Sequence, residues 1–303
     1  MAVTLLVGTP GASWREWLHE NLAGRHFLNL DPGDPAQDPP ARIALFHNGK
    51  PTAWCFFGGL EAERAPHLIL SALQTLLPLA QAELVVQLFP LKGSPLMVQV
   101  ARSLVQALQP SEIVVPEGAA LPNLGGPNPT PVTLPEPLSP QVHAAQRKAR
   151  WLKLLESCTE QLLRLDQLRI EGARLGAGAS HPPTRAAAEP DELLHVETTG
   201  HTVLIVSESE PSDALIARTL DRTHASRAVL ATPASYQNLL VAFARESGED
   251  FAIGILQEID FKKGTVTLLA DSVPPSPVKI LRIGVLRLSP TGDELGRIEP
   301  WQV

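Results

Sequence analysis

The chain has 303 residues, room for two domains of ordinary size, and its 44% hydrophobic content is enough for real cores, which excludes global disorder. Its 25 basic residues are outnumbered by 32 acidic ones, a net charge of −7, which excludes a surface coated in positive charge for non-specific nucleic-acid binding. No apolar run reaches the roughly 18 to 20 residues of a membrane span and no signal-peptide pattern opens the chain, so a soluble cytoplasmic protein with Cys55 and Cys158 as reduced core thiols is expected.

"VTLLVG" (3–8) is a β-branched strand that runs through a glycine turn into a helix from Trp14 to Ala23. "HFLNL" (26–30) is a second strand. Residues 41–59 give two β segments around His47-Asn48-Gly49-Lys50, where the Asn-Gly pair specifies a hairpin. Leu68, Ala72, Leu73, Leu76 and Leu77 share one face of a helix over 65–79. A strand over 82–89, a helix beginning at Pro95 and a strand over 111–116 follow. Strands alternating with helices in this way predict a parallel sheet with helices on both faces.

Past a proline-rich passage (116–140), an uninterrupted helical pattern runs from Pro140 to Arg169 and carries Arg147, Lys148, Arg150 and Lys153. "LGAGASHPPTRAAAEPDE" (175–192) is small, polar and proline-bearing, as a linker is. Short strands with one helix at 211–223 make up the rest. The expected organisation is an α/β domain over 1–175 with a long helix at 140–169, a poorly packed linker at 176–198, and a smaller β-rich domain over 199–303.

The strand–turn–helix at 3–18 has the outline of a phosphate-binding P-loop, G-x-x-x-x-G-K-[S/T], without its chemistry. Counting from Gly8, the decisive positions hold Ser13, Trp14 and Arg15; taking Gly11 as the second glycine puts Ala12 where the lysine belongs. The lysine is what neutralises the β/γ-phosphates. Ser13-x-x-Glu16 instead matches a capping box, with Ser13 accepting from the Glu16 N–H and Glu16 reaching back. Arg15 is the one cation in the first turn that could replace the lysine.

Several stretches taken in order resemble the polynucleotide 5′-hydroxyl kinase family, which phosphorylates RNA 5′-OH ends and includes subunits of RNA-processing complexes. "NLDPGDPAQDPP" (29–40) is similar to the family's D-x-D-x-G-Q stretch followed by two prolines, with Asp31, Gly33, Pro39 and Pro40 in place. "CFFGGLEAERAPHLILSAL" (55–73), "ELVVQLFPLKG" (83–93), "ALQPSEIVV" (107–115) and "AIGILQEIDF" (252–261) follow in the family's order. The resemblance implies a P-loop-NTPase-like parallel sheet and a C-terminal β domain. It also implies that Asp31 and Asp34 are the candidate catalytic carboxylates. Gly8, Gly11, Ser13, Arg15 and Lys92 then bind the nucleotide, and Arg147 and Arg150 form a lid that grips phosphate.

This chain departs from the family at three of those elements. The P-loop lysine is absent, Asn29 stands where the first Asp belongs with Asp34 in place of Gln, and Leu88-Phe89 replaces the metal-shell Thr. The foremost expectation is a degenerate relative, a nucleic-acid-processing scaffold with no cofactor. An active kinase using ATP and Mg²⁺ and a purely structural, oligomeric protein are the alternatives. The partners allowed are an RNA or DNA 5′ end, a protein, or a second copy of the chain, but not a membrane. The histidines (19, 26, 47, 67, 143 and 181 among them) show no ligand spacing along the sequence, so no metal site is expected.

Overall fold

The computed structural model describes residues 2–80, 83–172, 175–181, 193–271 and 278–299. Among these the chain divides into two compact units, Met1–Trp151 and Leu152–Val303.

In the first unit β1 (Ala2–Leu6), α1 (Arg15–Asn21) and β2 (His26–Asn29) are followed by the hairpin β3 (Arg42–His47) and β4 (Lys50–Phe56). Then come α2 (Pro66–Leu76), β5 (Glu83–Gln87), α3 (Pro95–Leu108), β6 (Glu112–Pro116) and β7 (Pro129–Val132). The seven strands lie in the order β4-β3-β2-β5-β1-β6-β7. β2, β5, β1, β6 and β7 run parallel, and the hairpin adds β3 and β4 antiparallel at one edge. Asn48 and Gly49 take φ of 50° and 73°, the left-handed pair that a tight hairpin demands.

Side-chain period explains how the sheet is covered. α2 buries Ile69, Ala72, Leu73 and Leu76, and α3 buries Met97, Val100, Ala101, Leu104, Val105 and Leu108, stripes at helical spacing. Both pack into one cluster with Leu5, Leu28, Leu45 and Val86. The alternate residues of the same strands, Leu6, Phe27, Val85 and Val114, point to the other face and meet Trp14, Trp17 and Leu18 of the α1 region. Each fully buried leucine contributes roughly 2 kcal/mol. The mostly parallel sheet with helices on both faces is therefore present.

α4 (Pro140–Leu155) ends well short of the expected Arg169, and β8 (Cys158–Arg164) follows as a strand. β8 pairs antiparallel with the strand at 265–271 along its whole length, from Cys158↔Asp271 to Arg164↔Thr265. No Gly or Pro interrupts 141–169, so nothing local marks the change; the partner strand supplies it. The two units consequently part at 151/152, not near 175.

In the second unit β9 (Arg169–Gly172), β10 (Ala179–His181), β11 (Leu193–Thr199), β12 (Thr202–Ser207), α5 (Asp213–Thr223) and β13 (Arg227–Ala231) follow β8. β14 (Leu239–Ala244), β15 (Asp250–Asp260), β16 (Thr265–Asp271), β17 (Ile280–Leu288) and β18 (Glu294–Arg297) complete it. One sheet has the order β18-β17-β14-β15-β16-β8 with β9 beside β17, and a smaller one β10-β11-β12-β13. α5 links the parallel pair β12 and β13, and its N-cap Ser212 accepts from Leu215 N. The unit is β-rich, with one α-helix after residue 199 among the described residues. The span proposed as a linker holds β10 and β11 at its ends; residues 182–192 lie outside the described residues.

Candidate functional site

The loop that follows β1 packs against other parts of the chain at both of its glycines. Trp14 is 4% exposed, and a Cβ on Gly8 would lie 3.0 Å from its indole Nε1. Gly11, at φ +86°, would place a Cβ 3.0 Å from Pro137 Cβ and 3.1 Å from the Leu138 carbonyl oxygen. Leu91 N donates to the Gly8 carbonyl at 3.1 Å and Leu138 N to that of Gly11 at 3.1 Å. Both candidate phosphate-binding glycines thus face atoms of their own chain.

The expected Ser13–Glu16 capping box does not form. Trp14 is the N-cap of α1, at φ −86° and ψ 0°, and the helix start has no side-chain cap hydrogen bond. The buried indole sets the register of the helix and leaves Ser13 one residue too early to cap it. Arg15 and Glu16 are both exposed on the first turn.

The acidic residues gather at the C-terminal ends of β2 and β5, the sheet edge where parallel α/β folds build sites. Asn29 Nδ2 and Gln87 Nε2 both donate to Asp34 Oδ2, at 2.6 and 3.0 Å. Asp31 N donates to Asn29 Oδ1 at 2.9 Å, and Gly33 N to Asp31 Oδ1 at 3.0 Å. Ala36 N donates to Asp34 Oδ1 at 2.8 Å, while Gln37 Nε2 donates to the Asp31 carbonyl at 2.7 Å. Gly33 is compelled by space, since a Cβ there would lie 2.5 Å from the Leu60 carbonyl oxygen. Asp34 is thereby pinned in its acceptor role.

Asp31 is different. Burial, and then the neighbouring Asp34 carboxylate, raise its carboxyl to about 7, against the opposing pull of the Gly33 N–H, Lys92 and Arg147. A carboxyl poised there can take up or release a proton near neutral pH. His143 lies in the same electrostatic neighbourhood. Burial and then Arg147 hold its imidazole below the ordinary value, and Asp34 pulls the other way. On α4, His143, Arg147, Arg150 and Trp151 recur at helical spacing as the half-buried or buried stripe, and Arg150 Nη1 is 3.9 Å from Asp38 Oδ2. Lys148 and Lys153 are exposed.

Of the residues expected from sequence, the fold brings together Asp31, Asp34, Lys92 and Arg147, with Arg150 joined through Asp38. It does not give Ser13 its capping role, and Arg15 is exposed on α1, while Gly8 and Gly11 are packed against protein. Leu88 and Phe89 are core residues, each 2% exposed. The sequence missed His143, whose signal was its four-residue offset from Arg147. It also missed Gln37 and Gln87, whose roles depend on loop and cross-strand geometry. The Oε1 atoms of both glutamines are buried with no hydrogen-bond partner among the described residues. No group of three or more His, Cys, Asp or Glu is placed to hold a metal among the described residues. No helix there is long and apolar enough to cross a membrane.

No family profile matches the sequence, and neither does any curated protein. Solved structures do match. A Clp1p structure from work on the extended interface between Pcf11p and Clp1p, and on ATP loss in a point mutant, aligns over 94% of this chain and 75% of its own length, with 13% identity and a TM-score of 0.57. The wild-type Clp1p–Pcf11p complex aligns over 94% and 74%, with 12% identity and a TM-score of 0.58. At this identity the likeness shows the fold alone.

Proposed function

We propose that this chain is a scaffold of the polynucleotide-kinase type, which uses the kinase fold to hold a partner and does not transfer phosphate efficiently. The observation that carries it is the loop after β1. Trp14 stands against Gly8 and Pro137-Leu138 against Gly11, and no lysine follows where a phosphate-binding loop needs one. Loss of such a charge donor typically removes a few kcal/mol of transition-state stabilisation. The Clp1p structures were determined with Pcf11p, which supports a protein as the partner. The basic stripe on α4 suits a nucleic-acid 5′ end, RNA or DNA.

A second reading is favoured by one observation. Asp31, Lys92, Arg147 and His143 converge, and a proton acceptor beside two cations is what an ATP- and Mg²⁺-dependent kinase needs. Radiolabel transfer from γ-labelled ATP to RNA and DNA 5′-OH oligonucleotides separates the two. The scaffold gives no transfer, but loses oligonucleotide binding on Arg147→Ala with Arg150→Ala. Robust transfer that disappears on Asp31→Ala restores the enzyme.

A further inference from the structure

At the other end of β2 from Asn29 the hairpin brings two histidines together. His26, the first residue of β2, stands directly opposite His47, the last of β3. Their rings stack with centroids 4.4 Å apart and planes at 29°. Each ring has a buried Nδ1 with no hydrogen-bond partner among the described residues. One such orphan in a folded protein calls for an explanation, such as an ion or a water. Here two of them sit on touching rings.

Protonation does not resolve the pair. It would place positive charge on rings in contact, and the buried N–H groups would still have no acceptor. The charged neighbours are Lys50, opposite His47 on β4, and the Arg25–Glu83 ion pair at 2.8 Å, next to His26 in sequence. Neutral imidazoles offer lone pairs, and a borderline cation takes two at once at roughly 2.0–2.1 Å each. Directly opposed residues on antiparallel strands have Cβ atoms roughly 4.5–5.5 Å apart, so ring rotation can turn two stacked imidazoles onto one ion.

We propose that His26 and His47 form a two-imidazole site for a divalent transition-metal ion of the copper, nickel and zinc class. No third His, Cys, Asp or Glu completes the shell among the described residues, so water fills the remaining positions. The ligand set ranks the ions Cu²⁺ above Ni²⁺ and Zn²⁺, and gives Mg²⁺ and Ca²⁺ no purchase.

Calorimetric titration of the full chain with each metal chloride tests this. One saturable equivalent of Cu²⁺ with a Kd at or below about 100 µM is expected, weakened at least tenfold in His26→Phe and in His47→Phe, which keep an aromatic pair. His67→Phe, an exposed histidine on α2, leaves it unchanged. A nitrogen-15 spectrum of wild-type protein with Zn²⁺ provides a readout independent of variant folding, because the His26 and His47 ring nitrogens must shift together. Absence of saturable binding, binding unaltered in both Phe variants, or shifts confined to other histidines overturns the site.

Discussion

Asp31→Asn should stabilise the protein at neutral and alkaline pH. In the folded chain the Asp31 carboxyl is raised from 3.8 to about 7, first by burial and then by Asp34. At roughly 1.36 kcal/mol per pH unit, that is about 4 kcal/mol of folded-state preference for the proton. Asp31 is partly exposed, so solvent screening reduces the figure to about 2–4 kcal/mol. The sign follows from linkage: a raised folded value means stability fully present below pH 3.8, lost progressively as pH rises, and gone above about 7. Asparagine cannot ionise, and its Oδ1 can still accept the Gly33 N–H now held at 3.0 Å. The variant should match wild type near pH 3.5 and exceed it by about 2–4 kcal/mol at pH 8, or roughly 5–15 °C in Tm. Urea denaturation at several pH values measures the difference directly. A neutral or destabilised Asp31→Asn at pH 8, or a difference that does not grow between pH 4 and 7, refutes the placement of an ionised Asp31 beside Asp34. Confirmation would mark Asp31 as a carboxylate that weakens the fold and so is to be explained by what it binds.

Two further outcomes concern the second unit. Glu197, 1% exposed, accepts from Gly176 N at 2.9 Å and from Gly178 N, and pairs with His195 Nε2 at 3.1 Å. Burial pulls its carboxyl up, but these bonds leave it below 4.5, so its contribution is present above that pH and lost as pH falls through the depressed value. Glu197→Ala should cost about 2–4 kcal/mol at pH 7 by stranding the two amides, and less at pH 3, by thermal denaturation. Arg282 donates to Glu171 Oε2 at 2.9 Å, to the Gly248 carbonyl at 3.2 Å and to Asp250, which is 6% exposed. Arg282→Met should lower stability by about 3–5 kcal/mol, and adding Asp250→Asn should recover part of it, because the loss comes from a stranded buried charge.

Some of this architecture is written locally and some is not. Asn48-Gly49 declares its hairpin because few residues accept two consecutive positive φ values, and α2 and α3 declare theirs by their apolar period. β8 could not be read, since "CTEQLLR" becomes a strand only by pairing with β16. Ser13-x-x-Glu16 is a sound capping sequence that a tertiary fact overrules: the Trp14 indole is buried against Leu6, Phe27, Val85 and Val114, and burial fixes where α1 begins. Asp31, Asp34, Lys92 and Arg147 were legible because a known motif order carried them. His143 and the His26–His47 pair were not, because spacing along the chain says little about a neighbour across a strand or a helix packed over a loop.

Asn29 and Asp34 form one departure from the family pattern along the sequence, and in the structure they meet in one contact. The family pattern that the segment resembles has Asp at the position of Asn29 and Gln at that of Asp34, where an amide can donate to a carboxylate. Here Asn29 Nδ2 donates to Asp34 Oδ2 at 2.6 Å, an amide–carboxylate bond with the carboxylate on residue 34. The charge therefore lies in the loop after β2, next to Asp31. Asn29→Asp alone would set two carboxylates in that contact, and Asp34→Gln alone would face one amide with another. Each should cost about 1–3 kcal/mol at pH 8, since a buried polar contact is left unmet. The double variant restores an amide–carboxylate pair, so its loss should be smaller than the sum by about 1–3 kcal/mol. It should also move the Asp31 titration, because the charge that raises it now comes from residue 29 at the strand end. A four-protein denaturation cycle with carbon-13 carboxyl titration of Asp31 reads both quantities. Additive losses with an unmoved Asp31 would show that the 2.6 Å contact carries no energy and that Asp34 does not set the proton affinity of its neighbour.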